Sequence, residues 1–194
     1  MIRPARLTDA PAISQLIVLA MGNLAGKFAN STDEAKILSL FERFVSQTGN
    51  QYSYENILVW DEQAEVCGMI IAYDGAELDK LRKPFLEYTR SQLGFTGQPE
   101  DETQSGEFYI DCLSVNPRHQ GKGFAKKLIK ALFDRAAELG HQTVGLLVSK
   151  GNDKAKKLYT GLGFGLKGEK ELLGGFHYHL QYPVLNDPPQ NQLP

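Results

Sequence analysis

Apolar positions along the chain switch between a strand period and a helical period, and the switches mark out elements. The opening run Ile2-Arg3-Pro4-Ala5-Arg6 predicts an edge strand, because Pro4 lacks the N–H that a central ladder requires. After a cap at Thr8 or Asp9, Ile13, Leu16, Ile17 and Ala20 or Met21 recur at helical spacing, and Gly22 offers a stop. Ser31 and Thr32 stand before Asp33-Glu34, where a second helix carries Ile37, Leu38, Phe41, Phe44 and Val45 on one stripe. Residues 57–60 and 66–73 read as two strands joined across the polar stretch 61–65, an antiparallel hairpin. From about 75 to 105 the pattern breaks. That stretch is polar, carries Pro84, Gly94, Gly97 and Pro99, and reads as an insertion with one short helix at 85–93. Downstream come a strand (108–115), an amphipathic helix (123–139), a strand (143–148) and a short helix (153–161), an order that demands a parallel strand pair. Strands at 164–167 and 177–182, joined through Gly174-Gly175, complete the pattern. The expected organisation is a single domain over 1–185 and a frayed C-terminal tail at 186–194.

Composition narrows the class. At 194 residues, against about 150 per domain, one domain with an insertion is expected. An apolar fraction of 42% with 23% charged residues suffices to bury a core, which excludes a disordered chain. The net charge of −2 argues against a dedicated nucleic-acid binder, so any basic site has to be local. Cys67 and Cys112 are too few for a disulfide framework or a four-cysteine zinc site, and both sit in apolar runs as free thiols suited to a reducing compartment. The N-terminus shows no basic leader, and the longest apolar stretch, near 16–21, falls far short of the ~20 residues of a membrane span. A cytoplasmic protein without a membrane partner is expected.

The segment Leu113-Ser114-Val115-Asn116-Pro117-Arg118-His119-Gln120-Gly121-Lys122-Gly123-Phe124-Ala125 carries the chemistry: a strand passes through a basic, glycine-containing turn straight into a helix. Such a turn aims backbone N–H groups outward, and the helix N-terminus adds roughly half a positive charge, which together make an anion cradle. Arg118, Lys122 and Lys126 add full charges. A nucleotide-hydrolysing loop is excluded because Gly121-Lys122 is followed by Gly123, with no hydroxyl for magnesium. A dinucleotide fingerprint fails as well, since Lys126 stands where its third small residue belongs.

Arg118-His119-Gln120-Gly121-Lys122-Gly123 resembles the Q/R-x-x-G-x-G/A element of the Gcn5-related N-acetyltransferase (GNAT) family. Residues 152–164, running Asn152-Asp153-Lys154-Ala155-Lys156-Lys157-Leu158-Tyr159 to Gly163-Phe164, resemble that family's N-x-x-A-x-x-L-Y-x-x-x-G-F element. The resemblance covers most of the chain outside the insertion and tail. It implies an α/β fold with a mixed central sheet of about seven strands, flanked by helices, whose parallel pair splays at the cofactor site. It also implies acetyl-coenzyme A as co-substrate and no metal. The pyrophosphate would rest on the turn formed by Arg118, His119, Gln120, Gly121, Lys122 and Gly123 and on the helix start at Phe124 and Ala125. Pantetheine would lie along Leu113, Ser114 and Val115, pairing as an added strand. Asn152, Ala155 and Tyr159, spaced by 3 and 4, share the helix face that the resemblance aims at the cofactor.

The implied reaction is attack of a primary amine of a small molecule or peptide on the thioester. With an amine pKa near 10.4, a base or water relay must take its proton. Glu107 occupies the place from which some family members supply a carboxylate base. Alternation puts Glu107, Tyr109, Asp111 and Leu113 on one face unless a bulge intervenes, which makes Asp111 the second candidate. Tyr159 is the candidate general acid, and a main-chain N–H near Leu113 the candidate oxyanion donor.

Plainer roles stand beside these. Tyr159 also suits core packing and Asn152 a helix cap. Cys112 lacks a recognisable activating partner. His177 and His179 have the spacing of two metal ligands without a third. Lys154, Lys156 and Lys157 suit either the ribose phosphate or a solvated face. The resemblance implies an acceptor site around 24–30, Tyr52, Tyr54 and His177, with the insertion as a wall or a lid. A second copy of the chain is a candidate partner. The rival functions are a non-catalytic acyl-CoA-binding sensor or scaffold module and a tRNA-directed acetyltransferase, against which the charge of −2 counts.

Overall fold

The computed structural model describes residues 1–184, so the tail expected at 186–194 lies outside the described residues. Seven strands form one sheet: β1 (Ile2–Pro4), β2 (Ile57–Glu62), β3 (Glu65–Asp74), β4 (Phe108–Val115), β5 (Thr143–Ser149), β6 (Gly165–Leu172) and β7 (Gly175–Pro183). Their spatial order is β1-β2-β3-β4-β5-β7-β6. Every neighbouring pair is antiparallel except β4 and β5, and β1 with its proline lies at one edge as its sequence demands.

Among the described residues six α-helices cover the two faces: α1 (Ala10–Met21), α2 (Asn23–Ala29), α3 (Glu34–Val45), α4 (Leu78–Leu93), α5 (Phe124–Glu138) and α6 (Asp153–Thr160). Apolar residues of α1 to α4 pack on one face with Ile57, Met69, Ile71 and Cys112. Leu128, Ile129, Leu132 and Ala136 of α5, with Tyr159 of α6, pack on the other against Ile70, Ile110, Val144 and Leu146. No single helix among the described residues is long and apolar enough to cross a membrane.

Several details depart from the sequence-based expectation. Gly22 does end α1, at φ +54, but the chain turns by 112° into α2, which buries Ala25, Phe28 and Ala29. The cap of α3 is Asp33, whose carboxylate accepts the Ala35 N–H at 2.9 Å, rather than Ser31 or Thr32. Only Gln63 and Ala64 form the β2–β3 turn, both at positive φ, so the two strands run further than the polar residues suggest. Helix α4 begins at Leu78 and accommodates Pro84 in its interior. Phe85 accounts for that. Its ring meets those of Phe28, Phe41, Phe44 and Tyr52 at centroid distances of 4.8–5.8 Å, a burial that outweighs the hydrogen bond Pro84 removes. Strand β6 reaches Leu172 although its residues are largely polar, because it is the outer edge strand and has one wet face.

Two irregularities position the site. The parallel pairing of β4 and β5 covers only Phe108 with Val144, Tyr109 with Gly145, and Ile110 with Leu146, beyond which the strands part. In the β3–β4 register, Ile71 faces Cys112 and Ala72 faces Ile110, which leaves Asp111 as the extra residue of a β-bulge. The bulge breaks the alternation, so Leu113 does not share a face with Asp111 and instead packs with the α5 and α6 cluster.

Candidate active site

Beyond β4 the chain makes a short 3-10 turn at Pro117–His119, fixed by Asn116 Oδ1 accepting the Arg118 N–H at 3.0 Å. The Gln120 amide donates to the Val115 carbonyl at 3.1 Å. Gly121 and Gly123 both adopt φ +79, and a Cβ built on either would meet nothing within 4 Å. Glycine is required here by the backbone conformation, and the space above it is open to a ligand. Gly123 is also the N-cap of α5, and no side chain caps that end, so the first N–H groups of a 15-residue helix face outward.

Within this turn the side chains divide. Arg118, Gln120 and Lys122 are exposed, whereas the His119 ring is held with Nδ1 3.2 Å from Glu62 and Nε2 3.6 Å from Cys67 Sγ. His119 therefore anchors the turn to the β2–β3 hairpin, and only its main chain is available to an anion. Phe124 is likewise buried, stacked on Trp60 at 4.3 Å, while Ala125 is half-buried on α5. Lys154 reaches Gln120 Oε1 at 3.4 Å, tying α6 to the turn, whereas Lys156 lies 3.8 Å over the Tyr178 ring and Lys157 is exposed.

Where β4 and β5 part, a cavity of about 420 Å³ opens. Asp111, Cys112 and Leu113 line one side, Leu147, Val148 and Ser149 the other, and Asn152, Ala155 and Tyr159 of α6 close it. Ser114 is buried and Val115 half-buried, each in register with β3 through Met69 and Gly68. Asn152 caps α6 by accepting the Ala155 N–H at 3.0 Å, so the plain role is met in full. The Tyr159 ring sets its edge on Phe164, 5.4 Å between centroids, and its hydroxyl bonds to no described residue. Burial, with the nearby Cys112 thiol, pushes the Tyr159 pKa upward and keeps the phenol protonated. The Cys112 thiol is itself pushed up by burial and by Asp111, the opposite of an activated nucleophile.

Three carboxylates lie nearby in different circumstances. Glu107 is fully buried and accepts hydrogen bonds from Thr103 Oγ1 at 2.7 Å, His179 Nε2 at 2.8 Å and Gln181 Nε2 at 2.8 Å. Burial raises its pKa, but those donors outweigh it and hold the carboxyl below its ordinary value. A Cβ at Gly145 would collide with the Glu107 carboxylate, which explains the glycine in β5. Glu107 does not line the cavity: the structure separates this first-named base from the site it was expected to serve. The same bond engages His179, while His177 faces the cavity with Nδ1 2.9 Å from the Gly175 carbonyl, so the two histidines do not form a metal pair.

Asp111 does line the cavity. It accepts from Tyr73 OH at 2.8 Å and weakly from Gln51 Nε2 at 3.4 Å, and burial pushes its pKa up to about 6. Opposite stands Glu102, from the insertion, which sequence reasoning missed because an acid in a polar stretch reads as a solvated charge. Glu102 accepts from Tyr109 OH at 3.2 Å, and burial together with the Asp111 charge raises its pKa to about 8.

A seven-stranded mixed sheet split at its parallel pair, with an open anion turn at the mouth of the split, is an architecture shared with known proteins. A profile of the Acetyltransferase (GNAT) family matches residues 28–164, and the chain belongs to this family. It is similar to the mycothiol acetyltransferase of Gordonia bronchialis, 31% identical over 165 residues, 81% of this chain and 48% of that protein. It is also similar to the spermine/spermidine N(1)-acetyltransferase of Bacillus subtilis, 29% identical over 126 residues, 62% of this chain and 80% of that protein. The chain thus spans about half the length of the first and four-fifths of the second. Among solved structures, an N-acetyltransferase from Staphylococcus aureus Mu50 superposes with a TM-score of 0.81 at 26% identity, covering 94% of this chain and all of that one.

Proposed function

We propose that the protein transfers the acetyl group of acetyl-coenzyme A to a primary amine, by direct attack with both substrates bound. The observation that carries this reading is the parting of β4 and β5 beyond Ile110 and Leu146, with Tyr159 and Asp111 both lining the gap. The residues present fit the co-substrate. The open main chain at Gly121 and Gly123 suits a pyrophosphate, and the separated strands leave room for a pantetheine arm between Leu113 and Val148.

Acetyl-coenzyme A supplies the activated acyl group; the protein supplies proton transfers and electrostatics. Asp111, in place of Glu107, takes the amine proton directly or through one water, which its half-buried place at the bulge allows. The nucleophilic nitrogen forms its bond to the acyl carbon as the carbon–sulfur bond breaks. A main-chain N–H near Leu113 meets the charge developing on the carbonyl oxygen. Tyr159 donates its proton to the departing sulfur and recovers one through solvent; its raised pKa keeps that proton in place until it is needed.

Calorimetry with acetyl-coenzyme A, followed by assays of thiol release with amines, tests the reading. Trp60, the single tryptophan, stacks on the first residue of α5 and provides a fluorescence reporter of the same binding step. Tyr159→Phe is expected to lower kcat by about 10²-fold or more while shifting acetyl-coenzyme A affinity less than about threefold. Binding with no thiol release from any amine would make the protein an acyl-CoA-binding module instead.

A further inference from the structure

We propose that the acceptor is a compact monoamine: one primary ammonium on an apolar body, with no carboxylate and no second cationic arm. This rests on the acetyl-transfer reading above and narrows it. The first support is the wall of the cavity. Met21 of α1, Leu24 and Phe28 of α2, Phe85 and Leu86 of α4, and Leu173 of the β6–β7 turn line it, with Gln51, Tyr52 and His177 among its polar members. An apolar body gains about 25 cal/mol per Å² buried against such side chains, whereas a second ammonium set against them would lose its water with no carboxylate to pair with.

The second support is charge. Among the described residues Glu102 and Asp111 are the only acids in the lining, they lie close together, and neither forms a salt bridge. One positive nitrogen is matched at that end. An extended polyamine would carry its further ammonium groups past these two carboxylates, where the described lining offers no other acid. A carboxylate on the acceptor fares no better. Arg82 is the only Arg or Lys in the lining, and its Nη2 is already 2.6 Å from both Asp79 and Asp101.

The third support is the closure of the cavity by residues 95–105, which run as a strap from α4 to the β6–β7 hairpin. Phe95 packs on Phe28 at 4.9 Å, Arg82 pairs with Asp101, and Lys170 Nζ donates to the Asp101 carbonyl at 3.2 Å. The Leu173 N–H donates to Glu100 Oε2 at 2.7 Å, and Thr103 donates to Glu107. Pro99 and Glu102 of the strap belong to the lining. The strap thus ties Phe28 of α2 to Lys170 and Leu173 of the hairpin, and an extended polypeptide has less room there than a compact amine. The volume agrees: about 420 Å³ is near the small end of ligand pockets, about 300–1,000 Å³, and it must also take the thioester end.

The test measures thiol release at saturating acetyl-coenzyme A with 2-phenylethylamine, isoamylamine, spermidine, L-phenylalanine and a short peptide with a free N-terminal alanine, with acetyl-coenzyme A binding followed by calorimetry. The two apolar monoamines are expected to exceed the other three in kcat/KM by about tenfold or more. Leu24→Glu, which adds a carboxylate to the apolar wall, should lower kcat/KM for 2-phenylethylamine and raise it for spermidine, each by about tenfold. Preference of the wild-type protein for spermidine, L-phenylalanine or the peptide overturns the proposal and leaves acetyl transfer standing. Acetyl-coenzyme A binding without turnover of any of the five overturns it as well. Absence of acetyl-coenzyme A binding instead overturns the reading on which it rests.

Discussion

The two halves of the cleft are built by opposite means. The turn at Gly121 and Gly123 and the N-terminus of α5 offer a ligand little but main chain: N–H groups, positive φ and open space. The acceptor half offers almost only side chains, gathered from α1, α2, α4, the strap, the bulge in β4 and the β6–β7 hairpin. Main-chain recognition suits a co-substrate whose phosphates never change. Side-chain recognition can be redrawn one residue at a time without disturbing the turn. On the proposed function the difference separates what every turnover needs from what selects the acceptor, and variants in each half should fail in different measurements.

The largest effect is expected at the bulge. Asp111→Asn removes the proposed base, and kcat should fall about 10³-fold, within the usual range for general base catalysis, with acetyl-coenzyme A affinity nearly unchanged. The pH profile carries the same assignment. The base must be ionised, so wild-type kcat/KM should fall as pH drops through about 6, the value to which burial raises Asp111. Around Asp111 stand Tyr73 on β3, Tyr109 and Cys112 on β4, Gln51 and Tyr52 before β2, Arg82 on α4, Glu102 on the strap and His177 on β7. At pH 6 Glu102, at about 8, is still protonated, so Glu102→Gln should leave the acid limb in place and remove only an inflection near 8. An acid limb unmoved in Asp111→Asn would return the base to water or another group.

Across the cleft the readout changes from rate to affinity. Gly123→Asp forces an L residue to φ +79, at about 1–2 kcal/mol, and sets a carboxylate among N–H groups meant for a phosphate. Acetyl-coenzyme A affinity by calorimetry should fall about 10²-fold, and kcat at saturation should change little. Equal affinity would remove the turn from the binding site.

This division also explains what could be read in advance. The geometry of the turn and of α6 was legible because it lies in consecutive residues: Gly121, Gly123, Asn152, Ala155 and Tyr159 follow a local spacing that one stretch of chain contains. Alternating patterns likewise exposed the hairpin, β4 and β5. Glu102 was illegible because a polar insertion hides an acid whose meaning comes from Asp111, Tyr109 and the strap folding back together. Helix α4 was underread at Pro84, where Phe85 packing overrides local propensity. The bulge at Asp111 left no local mark at all, since it is a property of the register with β3.

Glu107 belongs to neither half, and its variant should show that. Glu107→Gln keeps the shape but loses a buried charge that accepts from Thr103, His179 and Gln181, at about 2–3 kcal/mol. For a chain of this size that lowers Tm by roughly 4–12 °C. The native carboxyl titrates below its ordinary value, so its contribution is present above the unfolded-state pKa near 4.5 and lost as pH falls through the native one. The Tm gap between wild type and variant should therefore close at acid pH. The acid limb of kcat/KM should stay near 6; a limb that moved with this substitution would restore Glu107 as the base.

The smallest effect is expected where no ligand is involved. Ala64 sits at φ +68 in the two-residue β2–β3 turn, and its N–H donates to Asp61 Oδ1 at 3.0 Å. Both central residues of such a turn need positive φ, which alanine adopts only with strain. Ala64→Gly relieves that strain but gives the unfolded chain more freedom, and the two partly offset, leaving a gain of about 0.5–1 kcal/mol. Tm should rise by about 1–4 °C in a thermal melt. Because His119 ties the anion turn to this hairpin through Glu62, two residues away, the variant also measures how far the turn depends on its scaffold. Unchanged acetyl-coenzyme A affinity would mean that Gly121, Gly123 and the α5 terminus hold the cradle by their own backbone geometry.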